Sequence, residues 1–185
     1  EVAKYIDETY DMEYLERVYI SGDGASWIKQ GVNWIPKSHF VLDNYHQQKY
    51  IHTSVVHLLD SADDVKDMIQ DAISFEDKKA LKEVYRKILE VTENQNKYQQ
   101  VIDAERYLLN HWQGIIIKND NPDIIGCSAE GHVSHLYSDR MSSRPMGWTK
   151  RGVENIAKLR VFKWNQGNVY DLVMYQKYKE QKEQR

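Results

Sequence analysis

Cysteine occurs once in this 185-residue chain, as Cys127, and proline only three times. A single thiol excludes an internal disulfide framework and a cysteine-built zinc site, which points to an intracellular setting. No run approaches the ~20 apolar residues that a membrane-spanning helix needs, so no membrane partner is expected. The N-terminus is acidic and amphipathic, without the basic-then-apolar order of a secretory signal. Gly-x-Ser-x-Gly is missing, which leaves a Ser/His/Asp hydrolase of that kind unsupported. P-loop and dinucleotide-binding glycine patterns are missing too. The first residue is Glu1 rather than methionine, and the chain reads as part of a longer protein.

What is present fits one globular domain with a real core: 41% apolar and 29% charged residues. The net charge of −3 does not mark a nucleic-acid binder. Its distribution is more telling. Residues 1–16 hold six acids and one lysine, whereas residues 128–164 hold seven Lys/Arg against three acids. The basic stretch reads either as a solvated helix face or as a surface for a polyanion.

Along the chain, Val2, Ile6, Tyr10 and Leu15 suit a short amphipathic helix over residues 2–16. Val18 and Ile20 alternate in a strand from Arg17 to Ser21 that ends at Gly22-Asp23-Gly24. Ala25 to Gln30 reads as a short helix closed by Gly31, and Ser38 to Leu42 as a second strand leading into Asp43-Asn44-Tyr45-His46. Tyr50 to Trp112 contains neither glycine nor proline and repeats its apolar residues at helical spacing. Ser74-Phe75-Glu76-Asp77 has the form of a capping box for a second helix there, and Gly114 the form of a helix end. Ser128 suits the N-cap of a helix from Ala129 to about Ser142, Thr149 that of another, and Val169 to Tyr178 a last helix before a charged tail. The order implies an α/β fold interrupted by an all-helical insertion and mostly helical by residue count. Its expected parts are an α/β core portion over 1–49, the insertion over 50–114, the remaining core over 115–165, and a C-terminal helix and tail over 166–185.

Two runs carry chemistry. Asp23 follows a glycine at a strand's C-terminal end, where ligands of open α/β sheets gather. Glu130 would be the second residue of its helix. Together the two carboxylates could hold hard divalent ions, which prefer oxygen ligands and can activate water or a 3′-hydroxyl for phosphodiester chemistry. Alternatively, Asp23 serves a turn and Glu130 the helix dipole. His132 and His135 read as a weak zinc pair or as hydrogen-bonded surface residues. Asp43 and His46, three apart, could brace the strand-to-helix junction. Trp27, Trp34, Trp148 and Trp164 suit packing more readily than base stacking.

Val18 to Ile28, Ser38 to His46 and above all Ser128 to Trp148 resemble the ISLre-type bacterial insertion-sequence transposases, in the family's order from about residue 10 to residue 165. That family is similar to DDE transposases. The resemblance implies a partial RNase H-like core, with Asp23 as the second catalytic aspartate and Glu130 as the final glutamate, both binding Mg²⁺ or Mn²⁺. It implies a supporting role at the site for Asp43, His46, His132 and His135. Arg140, Arg144, Lys150 and Arg151 would contact DNA, both transposon ends and target. A homo-oligomer is implied for the active state, in a bacterial cytoplasm and on the nucleoid when bound to DNA. The family's first aspartate should lie on a strand well upstream of Asp23. Residues 1–16 offer none, because Asp7 and Asp11 fall in a helical pattern. A triad of Asp23, Asp43 and Glu130 would leave too little chain between its first two members. The chain thus reads as the C-terminal part of a transposase without a complete metal site of its own. The alternatives are a truncated remnant that at most binds DNA, or a helical interaction module.

Overall fold

The computed structural model describes residues 2–127, 129–142 and 147–183, and all their side chains except those of Glu130, Glu180 and Glu183. It divides into two compact units, residues 1–127 and 128–185. The fold is α/β, mostly helical, with a small parallel sheet and a helical insertion.

In the first unit, α1 (Val2–Thr9) is shorter than the sequence pattern suggests. The Asp11 carboxylate accepts from the Glu13 amide at 2.9 Å, and the Asp11 carbonyl accepts from the Tyr14 and Leu15 amides, so a local turn displaces further helix. Strand β1 (Val18–Gly22) comes next, then α2 (Ser26–Lys29), a 3₁₀ turn over Gln30–Asn33 in place of the expected stop at Gly31, and β2 (Ser38–Leu42). The strands pair in parallel, Val18 opposite Ser38 through Gly22 opposite Leu42.

From β2 the chain enters α3 (Asn44–Val55), a 3₁₀ segment over Val56–Ser61, α4 (Ala62–Ser74), α5 (Lys78–Val91), α6 (Gln95–Asn110) and α7 (Trp112–Asn119). α3 packs on α6, α5 on both α4 and α6, and α7 on β2. Leu42, Ile51, Ile69, Leu81, Tyr85, Val101, Leu108 and Ile115 form one buried cluster, so sheet and helices share a core. A buried polar bridge inside it is satisfied: Ser54 Oγ donates to the Tyr50 carbonyl at 2.8 Å and accepts from Tyr85 Oη at 2.8 Å. Burial holds the Tyr85 hydroxyl well above the ordinary tyrosine range.

Two local expectations are corrected. α4 runs through Ser74, and Glu76 turns the chain with φ +54°; Asp77 is the cap, accepting from the Lys79 and Ala80 amides at 2.9 and 2.8 Å. Gly114 does not end a helix but lies inside α7, together with Ile115-Ile116-Ile117. A Cβ there would stand 3.0 Å from Phe40 Cδ1 and 3.2 Å from the Leu42 amide nitrogen. The missing side chain lets α7 lie against β2, and that close approach outweighs glycine's poor helix propensity.

The second unit starts with a nearly continuous helix: α8 (Ala129–Val133), a π turn (Ser134–Ser138) and α9 (Asp139–Met141). α10 (Lys150–Trp164) and α11 (Val169–Glu183) complete it. Thr149 caps α10 as expected, its hydroxyl accepting from the Gly152 amide at 3.1 Å. Ser128, the expected cap of α8, lies outside the described residues. Arg160 of α10 donates to the carbonyls of Leu136 and His135 in the π turn, the latter at 2.6 Å. Among the described residues no helix is long and apolar enough to cross a membrane.

Stability should respond to this packing at two points. Asp77→Ala should cost about 1 kcal/mol by loss of the α5 cap, while Ser74→Ala should leave the urea midpoint nearly unchanged. His57 is the pH-sensitive point. Thr92 Oγ1 already donates to the Ile88 carbonyl, so His57 Nε2 must donate to Thr92 Oγ1 at 2.8 Å, and its buried Nδ1 has no partner among the described residues. Burial, and then Lys97, holds the imidazole below its ordinary 6.5. Once the pH drops below that ordinary value, the unfolded chain takes up a proton that the fold resists, and stability falls. Urea midpoints at pH 7 and pH 5 should differ less in His57→Asn than in the wild type.

Candidate functional site at the sheet edge

The site grows out of the strand register. Gly22 and Leu42 are paired, so Asp23 and Asp43 leave the same C-terminal edge of neighbouring strands, which run about 4.8 Å apart. The Asp43 amide donates to the Gly22 carbonyl at 3.1 Å and carries the ladder one step further.

The two aspartates are in different states. Asp43 is only 9% exposed. Its Oδ1 accepts from the His46 amide at 2.8 Å as the N-cap of α3, and His46 Nδ1 lies 3.0 Å from Oδ1 and 2.8 Å from Oδ2. A carboxylate can only accept, so Nδ1 carries the proton. Asp23 is exposed, and its Oδ1 accepts from the Ala25 amide at 2.8 Å across a turn in which Gly24 takes φ +85°. The structure thus engages both Asp43 oxygens and leaves Asp23 as the accessible hard-oxygen donor. That donor chemistry suits Mg²⁺ or Mn²⁺. Among the described residues no three His, Cys, Asp or Glu side chains are grouped closely enough to hold an ion.

Three residues not singled out in the sequence border this edge. Tyr107 Oη, on α6, donates to the Asp23 carbonyl at 2.5 Å, and its ring stacks on Tyr50 with centroids 3.7 Å apart. Burial, then Tyr50 and the charges of Asp43 and Asp23, holds its hydroxyl far above the ordinary range. His111, at the end of α6, sets Nδ1 2.8 Å from the Tyr107 carbonyl and Nε2 3.4 Å from the Gly24 carbonyl. Lys118 Nζ, on α7, donates to Asn44 Oδ1 at 3.1 Å and Gln47 Oε1 at 3.2 Å. Burial pushes the lysine below its ordinary value, and Asp43 opposes part of that shift. The local signal was slight: Tyr107 and His111 are one helical turn apart beside the apolar Leu108. Their partners in the Asp23 turn lie more than 80 residues away.

The other expected site residues fall in the second unit. Glu130 is the second residue of α8, as its spacing suggests, but its side chain lies outside the described residues. His132 meets Trp164 edge-on with centroids 5.9 Å apart, and His135 Nδ1 lies 3.9 Å from Asp139 Oδ2. The two histidines thus turn to different neighbours. Arg140, Lys150 and Arg151 are exposed, and Arg144 lies outside the described residues. Trp27 and Trp34, expected to pack, are 75% and 78% exposed; no described element covers them.

Asp43→Ala removes both a helix cap and the partner of His46, and should cost about 1–2 kcal/mol in urea unfolding. Asp43→Asn keeps a capping oxygen and should cost less.

Comparison with known proteins places this architecture in a family. Residues 1–179 match the family described as "Uncharacterised protein family (UPF0236)". Three UPF0236 proteins of Caldanaerobacter subterraneus subsp. tengcongensis are 42%, 43% and 43% identical over 172 residues, which is 93% of this chain. The name of the first joins eleven TTE designations within one strain. The chain spans about a third of these relatives, 36%, 36% and 34% of their lengths. No solved structure matches it. With almost its whole length matched, the chain belongs to the UPF0236 family.

Proposed function

We propose that this chain forms the part of a DDE-type DNA transposase that supplies the second aspartate, Asp23, and the final glutamate, Glu130. One observation carries the reading: Asp23 is an exposed carboxylate at the C-terminal edge of a parallel strand, directly beside the braced Asp43–His46 pair. Such an edge is where α/β sheets present ligand-binding groups. The resemblance of Val18–Ile28, Ser38–His46 and Ser128–Trp148 to ISLre-type transposases supports the same assignment. A relative whose name joins many designations in one strain is also what multiplication by transposition would leave behind.

In this reading Asp23 and Glu130 would each supply an oxygen ligand to Mg²⁺ or Mn²⁺, which when bound would supply positive charge against the phosphate as negative charge develops. The first strand aspartate comes from elsewhere in the protein. In cleavage a water oxygen attacks phosphorus, loses its proton to solvent, and the 3′-oxygen of the broken bond leaves with the bonding pair. In strand transfer the freed 3′-hydroxyl attacks a target phosphate in the same way. DNA ends, target DNA and a second copy of the protein are the partners, on the bacterial nucleoid. Arg140, Lys150, Arg151, Lys158 and Lys163 are exposed, with no ion pair among the described residues, and suit phosphate contacts. Arg160 is committed to the π turn.

A second reading, DNA binding without catalysis by this stretch alone, draws on one specific observation. Asp7 lies in α1 and Asp11 in a turn, so neither sits on a strand as the family's first aspartate should.

Asp23→Asn keeps an oxygen for the Ala25 amide and should preserve folding. It should still lower Mg²⁺-dependent cleavage of DNA carrying the element's ends by at least ~10². Cleavage at the wild-type rate by a folded Asp23→Asn protein would remove the transposase reading of this site.

A further inference from the structure

The turn that carries Asp23 is held from outside its own strand. Among the described residues its side chain takes only the Ala25 amide, so the direction of the carboxylate depends on the backbone of Asp23 and Gly24. Both carbonyls of that backbone face α6. Tyr107 Oη donates to the Asp23 carbonyl at 2.5 Å, and His111 Nε2 stands 3.4 Å from the Gly24 carbonyl. Gly24, at φ +85°, packs so closely under the imidazole that a Cβ would lie 2.0 Å from His111 Nε2.

The two rings are themselves fixed. Tyr107 stacks on Tyr50 at 15° between planes. His111 is 8% exposed, bonds the Tyr107 carbonyl at 2.8 Å, and has its ring centroid 4.5 Å from that of Tyr107 and 6.1 Å from that of Phe40. α6 in turn packs along α3, whose N-terminus is the Asp43 cap. Both acidic positions are therefore tied to one helix pair.

We propose that Tyr107 and His111 are positioning residues for Asp23, so that the helical insertion sets the geometry of the acidic edge rather than merely interrupting the core. This rests on the reading of Asp23 as a metal ligand. A displacement of α6 moves the Asp23 turn, and its companion α3 carries Asp43 with it. Loss of a second-sphere contact of this kind typically costs about 10–100-fold in metal affinity or activity.

The test uses Tyr107→Phe, which removes one oxygen and keeps the stacked ring, with Tyr85→Phe as the comparison, a hydroxyl lost from the same helical block whose bond goes to Ser54 and not to the Asp23 turn. In amide exchange on this chain, Tyr107→Phe should speed exchange at Ala25 about tenfold, with Ile69, Leu81 and Val101 unchanged. In DNA cleavage by the protein, it should raise the Mg²⁺ concentration for half-maximal rate about tenfold, with the rate restored at saturating Mg²⁺. His111→Asn should do the same in a weaker form and serves if Tyr107→Phe folds poorly. Wild-type exchange at Ala25 in both variants, or an equal shift of the Mg²⁺ curve in Tyr85→Phe, overturns the proposal. Because the exchange measurement needs no metal and no DNA, it judges the clamp even if Asp23→Asn protein still cleaves and the transposase reading falls.

Discussion

Parallel pairing of β1 with β2 is the constraint on which the first unit depends. Two parallel strands have little stability alone, and their faces must be covered by helices. α7 supplies part of the cover, and can do so only because Gly114 brings its backbone close to Phe40 and Leu42. Leu42 and Ile115 then join the sheet to the core of the helical block. The same pairing sends Asp23 and Asp43 out of one edge, so the packing of the sheet and the placement of the acids are a single arrangement.

At that edge the chain divides its labour. Asp43 is withdrawn into a helix cap and an imidazole contact, a local arrangement within four residues. Asp23 stays exposed and is steadied at a distance, through backbone carbonyls that meet side chains from α6. Holding a carboxylate through its main chain spares its oxygens, and among the described residues Asp23 spends only Oδ1, on the Ala25 amide.

Much of this was legible from residues alone because its causes are local. The strand over Ser38–Leu42, the Asp43-x-x-His46 contact and the Thr149 cap are set by neighbours within a few positions. Asp77 defeated the pattern because two capping candidates stood three residues apart, and the left-handed Glu76 between them decided which was used. Gly114 was misread because its reason is Phe40, more than 70 residues away. Tyr107 and His111 could not be singled out for the same cause: nothing near them in sequence announces the carbonyls they meet.

The π turn at Ser134–Ser138 has a consequence for how the acid-bearing helix can vary. An α-helix advances about 100° per residue, so one extra residue in a wide turn changes the phase between the helical segments on its two sides. Glu130 and His132 are thus dialled relative to Asp139 and Arg140 by a backbone irregularity, and Arg160 latches the setting through the His135 and Leu136 carbonyls. Insertions and deletions of a single residue in this stretch act as rotations of the glutamate, a coarser adjustment than any side-chain exchange could make.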